Sequence, residues 1–116
     1  MIISIIIPIY NEENTLLEIL KRIQMLKKSV ETEIIIINDG STDKSKEIID
    51  KNNSLYSKII HLKKNLGKGK AVIEGLKNCN GEYIFIQDAD LEYDPKDIIS
   101  FIDKIEREKA DLVMGS

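Results

Sequence analysis

Tyr83-Ile84-Phe85-Ile86-Gln87-Asp88-Ala89-Asp90 is an apolar run that ends in two carboxylates one residue apart. Its aromatic and β-branched residues read as a buried strand. A buried strand does not carry unpaired carboxylates through its middle, because their desolvation is too costly. Asp88 and Asp90 are therefore expected at the strand's C-terminal end, in the crevice where open α/β sheets bind ligands. Two carboxylates converging there suit a hard divalent cation, Mg²⁺ or Mn²⁺, holding a diphosphate. An ordinary strand-to-helix turn with Asp as the helix cap uses the same short pattern, so the surrounding chain has to separate the two.

Working outward, residues 2–9 form a nearly continuous isoleucine run, the mark of a strand buried on both faces. Pro8 cannot donate to a ladder, so regular pairing is expected to stop about there. Leu16, Leu17, Leu20, Ile23 and Leu26 recur at helical spacing across 13–28, with Asn11 or Asn14 as the cap. A second apolar strand, 33–37, ends in Asn38-Asp39-Gly40-Ser41-Thr42-Asp43, where Gly40 permits a tight turn and Ser41 or Thr42 can cap a helix over 44–52. A shorter strand, 58–62, leads through the basic loop Asn65-Leu66-Gly67-Lys68-Gly69-Lys70 into a helix over 69–78, with Ala71, Val72 and Leu76 on its apolar side. Beyond Asp90, Asp94-Pro95 opens a helix reaching about 108, and 110–114 is a fifth strand.

Strands alternating with helices of this length predict βαβ units: an α/β fold, a three-layer α/β/α sandwich around a mostly parallel sheet. Right-handed crossovers put helices on both faces and every strand C-terminus on one edge. That edge gathers Tyr10, Asn11, Glu12, Asp39, Asp43, Lys68, Lys70, Asp88 and Asp90. Polar groups delivered to one rim by several separate strands favour a ligand site over a plain turn.

Composition narrows the function. The chain has 116 residues, 42% hydrophobic and 32% charged, enough for one globular domain spanning 1–116. A net charge of −3 argues against a nucleic-acid surface. A single cysteine, Cys79, allows no internal disulfide and fits a reducing compartment. No apolar run approaches a transmembrane span, and the first residues lack the charged region and cleavage site of a signal peptide. A cytoplasmic protein, peripheral at a membrane face, is expected. Gly67-Lys68-Gly69 is not a dinucleotide fingerprint, no Walker loop is present, and His61 and Cys79 read as structural.

Four segments carry a resemblance: Pro8-Ile9-Tyr10-Asn11-Glu12, Asn38-Asp39-Gly40-Ser41-Thr42-Asp43, Asn65-Leu66-Gly67-Lys68-Gly69, and Asp88-Ala89-Asp90-Leu91-Glu92-Tyr93-Asp94-Pro95. In this order they resemble the family 2 glycosyltransferases with a GT-A fold, in particular dolichol-phosphate mannosyltransferase and related polyprenyl-phosphate glycosyltransferases. The resemblance covers essentially the whole chain. It implies sugar transfer, with inversion, from a GDP- or UDP-linked nucleotide diphosphate sugar to a lipid-phosphate acceptor. It implies that Pro8, Tyr10 and Glu12 line the pocket for base and ribose, with Asn11 beside them, that Asp39 contacts the base, and that Ile37 flanks it. Lys68 and Lys70 join the substrate side; Asp88 and Ala89 lie against ribose and diphosphate. Asp90 is implied as the catalytic metal ligand, with Asp88 and Glu92 completing the metal set.

Two positions depart from the family pattern: Asn38 stands where many relatives carry Asp, and Glu92 where some carry Gln. Such enzymes also need roughly twice this length to build the acceptor side. The chain is therefore expected to supply the donor-binding half, and its last strand to leave an edge open to self-association. A non-catalytic nucleotide-sugar-binding module and a nucleotidyltransferase are the rival readings. The second lacks its usual Gly-rich basic loop after the first strand.

Overall fold

The computed structural model describes residues 2–25, 31–90, 100, 103–104 and 114–115. The strands are β1 (Ile2–Ile9), β2 (Glu31–Asn38), β3 (Lys58–His61), β4 (Tyr83–Ile86) and β5 (Met114–Gly115). The helices are α1 (Leu16–Gln24), α2 (Ser45–Lys51) and α3 (Lys68–Lys77). The sheet order is β3-β2-β1-β4-β5, and every neighbouring pair is parallel.

The isoleucine runs explain this arrangement. Ile3, Ile5, Ile6 and Ile7 of β1 are fully buried, as are Ile34 to Ile37 of β2. Successive side chains of a strand point to opposite faces, so each run serves two cores. On one face, Ile3, Ile5, Ile7, Ile9, Ile34 and Ile36 pack with Leu16, Ile19, Leu20 and Ile23 of α1 and Ile49 of α2. On the other, Ile6, Ile35 and Ile37 pack with Ala71 of α3. The expected three-layer sandwich results, built by a sheet buried on both sides.

Some local details differ from the sequence reading, each for a physical reason. Regular pairing stops about Pro8, as expected, although Pro8 itself is in register with Ile37 and β1 ends one residue later, at Ile9. Ile6 accepts from Gln87 N, so even-numbered β1 residues bond towards β4, and β4 pairing ends at Ile6 opposite Ile86. The N–H that Pro8 lacks would thus point past the end of that ladder. Helix α1 starts at Leu16, later than expected, after a turn in which Thr15 N and Leu16 N both donate to Glu12 O. Neither Asn11 nor Asn14 caps it, and the position before it, Thr15, makes no side-chain cap bond. Ile19, absent from the expected stripe, is fully buried.

Helix α3 faces the sheet with Ala71 and Gly75, whereas Leu76 is exposed. A Cβ at Gly75 would lie 2.6 Å from Ile6 Cγ2. The helix sits this close because its inward face carries only small residues. The predicted helix over 95–108 is represented only by Ser100, Asp103 and Lys104, which are helical, and the rest lies outside the described residues. Of the predicted strand over 110–114, Met114 is described, and it pairs with Ile84.

At the sheet edge opposite the rim, Glu33 joins three segments. Its carboxylate accepts from Ser4 Oγ at 2.9 Å and Asn80 N at 2.8 Å, and Lys58 Nζ lies 3.5 Å away. Burial pushes the Glu33 carboxyl up, but the bonds from Asn80 and Ser4 and the Lys58 charge outweigh it and hold it below its ordinary 4.5. No helix among the described residues is long and apolar enough to cross a membrane.

Because Ile36 is fully buried, Ile36→Ala should cost about 2–5 kcal/mol in urea denaturation. Ile73, 53% exposed on α3, should change stability by less than about 0.5 kcal/mol when replaced by Ala.

Candidate functional site

The parallel register brings the C-terminal ends of β1, β2 and β4 to one edge. A cavity of about 630 Å³ opens there, lined by Pro8, Ile9, Tyr10, Glu12, Asp39, Asn65, Gly67, Lys68, Asp88, Ala89 and Asp90. Four chain segments contribute to it, and hydrogen bonds between their loops shape it.

Asp39 is the main tie. Its backbone N donates to Ile9 O at 2.8 Å, continuing the β1–β2 ladder by one residue. Its carboxylate, 3% exposed as a residue, accepts from Leu66 N at 2.8 Å, Gly67 N at 3.0 Å and Asn65 Nδ2 at 3.3 Å. A carboxylate has about four acceptor positions, so the 65–67 loop takes most of them. Gly40 beside it has φ +69, and a Cβ there would lie 2.4 Å from Asn65 N. Only glycine allows the two loops to meet at that distance in that left-handed conformation.

A second brace joins the β1–α1 and β2–α2 loops. Asn11, at φ 52, accepts at Oδ1 from Thr42 N (2.8 Å) and Asp43 N (3.2 Å), while its own N donates to Ser41 Oγ at 3.0 Å. Ser41 and Thr42 are thereby occupied, and neither caps α2. The position before the helix, Lys44, makes no side-chain cap bond; Asp43, one residue further out, holds the first helical N–H, its Oδ1 accepting from Ser45 N at 2.8 Å and its Oδ2 from Glu13 N at 3.1 Å. Burial pushes the Asp43 carboxyl up, but the bonds from Ser45 and Glu13 outweigh it and hold it below its ordinary 3.8.

A third brace reaches the paired carboxylates. The Thr15 hydroxyl lies between Glu12 Oε2, at 3.0 Å, and the Ala89 carbonyl, with one proton for two acceptors. It ties the start of α1 to the residue between Asp88 and Asp90. Lys68 Nζ forms an ion pair with Asp88 Oδ1 across the cavity.

Of the residues proposed from sequence, Pro8, Tyr10, Glu12, Asp39, Lys68, Asp88, Ala89 and Asp90 line this one cavity. Three others do not. Asn11 is spent on the loop brace, Ile37 is buried in the α3-side core, and Lys70 is exposed outside the lining. Glu92 lies outside the described residues. Ile9, Asn65 and Gly67 were missed as lining residues, although all three stand in segments already singled out. His61 lies outside this cavity and is held by two side chains. Asn38 Nδ2 donates to its Nδ1 at 3.0 Å, which leaves Nε2–H to donate to Asp50 Oδ1 at 3.0 Å.

The family model described as Glycosyl transferase family 2 matches residues 4–116. The chain belongs to glycosyltransferase family 2. It is 33% identical to the dodecaprenyl-phosphate galacturonate synthase of Rhizobium johnstonii, over 97% of this chain and 35% of that protein. It is 35% identical to the dolichol-phosphate mannosyltransferase of Pyrococcus furiosus, over 100% of this chain and 33% of that protein. The crystal structure of S. aureus TarS 1-349 in complex with UDP-GlcNAc superposes with a TM-score of 0.79 at 27% identity, over 96% of this chain and 33% of that one. The fold is thus that of the GT-A glycosyltransferases, and the chain spans about a third of the length of these relatives.

The family implies a divalent cation, and the donor chemistry at the rim can be tested for it. Among the described residues no group of three His, Cys, Asp or Glu side chains is placed to hold a metal ion. Asp88 and Asp90 supply two hard oxygen donors at the cavity. Mg²⁺ is commonly held by one or two carboxylates with substrate phosphates completing its shell, so the residues present fit a cation that binds together with a diphosphate.

Gly40→Ala should cost about 1–2 kcal/mol from the left-handed backbone alone, with more from the Asn65 contact, as read by chemical denaturation. Asp43 and Glu33 both have lowered folded-state pKa values, so their stabilisation is full above their unfolded values and is lost as pH falls through the folded ones. The thermal midpoint should therefore drop below about pH 4, and the Glu33→Gln/Asp43→Asn variant should start lower and show a shallower drop.

Proposed function

We propose that these 116 residues form the donor-binding domain of a glycosyltransferase that moves a sugar from a GDP- or UDP-linked donor to a polyprenyl phosphate, with inversion. The observation that carries the reading is the convergence of eight sequence-identified residues from four segments on one cavity at the strand ends. Pro8, Tyr10 and Glu12 would receive base and ribose; Tyr10, 45% exposed at the rim, offers an aromatic face. Asp39 would act on the nucleotide chiefly through the loop it holds, with its remaining acceptor position left for the base. Asp88 and Ala89 would lie along ribose and diphosphate, and Asp90, with Asp88 and Glu92, would hold Mg²⁺ or Mn²⁺. That cation supplies Lewis-acid neutralisation of the leaving diphosphate.

The acceptor class follows the relatives, which include a dodecaprenyl-phosphate galacturonate synthase and a dolichol-phosphate mannosyltransferase. A phosphate oxygen is already anionic and needs no general base. A single in-line displacement at the sugar carbon inverts it. Such acceptors sit in a membrane, so the domain would work peripherally at its surface.

A GDP or UDP ligand at 100 times its Kd should stabilise the fold by about 2.7 kcal/mol in the presence of Mn²⁺. Asp90→Asn should fold normally and lose the Mn²⁺-dependent part of that stabilisation. Unchanged metal dependence in calorimetry would remove Asp90 from the metal set.

Holding two reactants in line is worth about 7–11 kcal/mol, and every side chain assigned above serves the donor. The 116 residues alone should therefore bind donor but form little glycolipid when mixed with Mn²⁺, nucleotide sugar and polyprenyl phosphate. Robust turnover would show that the acceptor site is already present, and sedimentation of the same sample reads whether the β5 edge pairs two copies.

A further inference from the structure

The Lys68–Asp88 ion pair occupies the place where the donor reading needs Asp88 for other partners. Both residues line the cavity, and the contact is between Nζ and Oδ1. Lys68 is the first residue of α3 and directly follows Gly67, whose N–H is held by the Asp39 carboxylate. Its backbone is therefore fixed beside the cavity. Its side chain is 58% exposed and can swing on a flexible four-carbon stem, whereas that of Asp88 is only 20% exposed. An ammonium group and a divalent cation cannot share one carboxylate oxygen without strong repulsion between them.

We propose that Lys68 is an exchangeable counter-ion. It neutralises Asp88 in the ligand-free protein, and it transfers to a diphosphate oxygen when nucleotide and cation arrive together. This rests on the donor-site reading above. In the empty site Lys68 competes with a divalent cation for Asp88, so the cation alone binds poorly. In the filled site the same ammonium adds a positive charge to the diphosphate, so it favours cation and nucleotide bound together. Lys68 thereby couples the two ligands, and the coupling is reciprocal. The site would take up the nucleotide–cation pair in preference to either component.

The experiment compares wild type, Lys68→Gln and, as a surface control, Lys77→Gln, whose lysine pairs with Glu74 on α3. Circular dichroism melting confirms that each folds. Mn²⁺ binding is read from the electron paramagnetic resonance signal of free Mn²⁺, without nucleotide. GDP and UDP binding is read by calorimetry, with and without Mn²⁺. Lys68→Gln should bind Mn²⁺ alone about two- to fivefold more tightly, the scale of a partly exposed ion pair. It should also bind the diphosphate with Mn²⁺ more weakly, so that the coupling between the two ligands shrinks; Lys77→Gln should match wild type. If Lys68→Gln gains no affinity for Mn²⁺ alone, the exchange is wrong, while nucleotide binding that still depends on Mn²⁺ leaves the donor site standing. If wild type binds neither nucleotide with Mn²⁺ nor Mn²⁺ alone, the donor-site reading falls and the exchange with it.

Discussion

Burial of β1 on both faces is the constraint on which the rest of the structure depends. Its isoleucines meet α1 and α2 on one side and α3 on the other, and β2 and β4 flank it in the sheet. Each fully buried isoleucine contributes about 1.5–3 kcal/mol. Slipping the strand by one residue would exchange its two faces and force both cores to repack. The parallel pairing with β2, from Ile2 opposite Glu31 to Ile9 opposite Asn38, is held by the same packing. Polar side chains are then confined almost entirely to the two ends of the sheet. Ser4 is the internal exception, and its hydroxyl is satisfied by Glu33 and Gly81 N.

The two ends use similar chemistry to different effect. At one, Glu33 accepts from Ser4 and Asn80 and closes the structure. At the other, Asp39, Asn11, Asp43 and Thr15 tie loops to one another and leave a cavity between them. Most of these braces run between a side-chain oxygen and the backbone N–H of a loop distant in sequence. A loop held this way is ordered before any ligand arrives, so less conformational entropy is lost on binding. The cavity at the strand ends is the part of a family 2 glycosyltransferase fold that these loops shape, and the Lys68–Asp88 pair is a charge contact within it.

The α/β class, the parallel sheet, the two helical layers and the gathering of polar residues at the rim, where the cavity opens, were all legible in the sequence. Unbroken isoleucine runs demand burial on both faces, and carboxylates after such runs can only lie at their ends. Tyr10, Glu12, Asp39, Asp88 and Asp90 could be named on that basis, because they stand within four residues after a strand end, and Lys68 because it opens α3 at the same rim; Pro8 and Ala89 were named only through the family resemblance. What the chain pattern could not show was the direction of individual side chains within the loops. Asn11 turns away from the cavity because its φ of 52 and its bonds to residues 42 and 43 aim it at the next loop. Ile37 faces the α3 core because strand alternation, set by β1, puts it there. Asn65 and Gly67 enter the lining because Asp39, some 26 residues earlier, draws their loop inward. Local sequence determines which segments can be strand, helix or turn. Hydrogen bonds between loops that are neighbours only after folding decide which atoms face the ligand, since their partners are set by the sheet order and not by spacing along the chain.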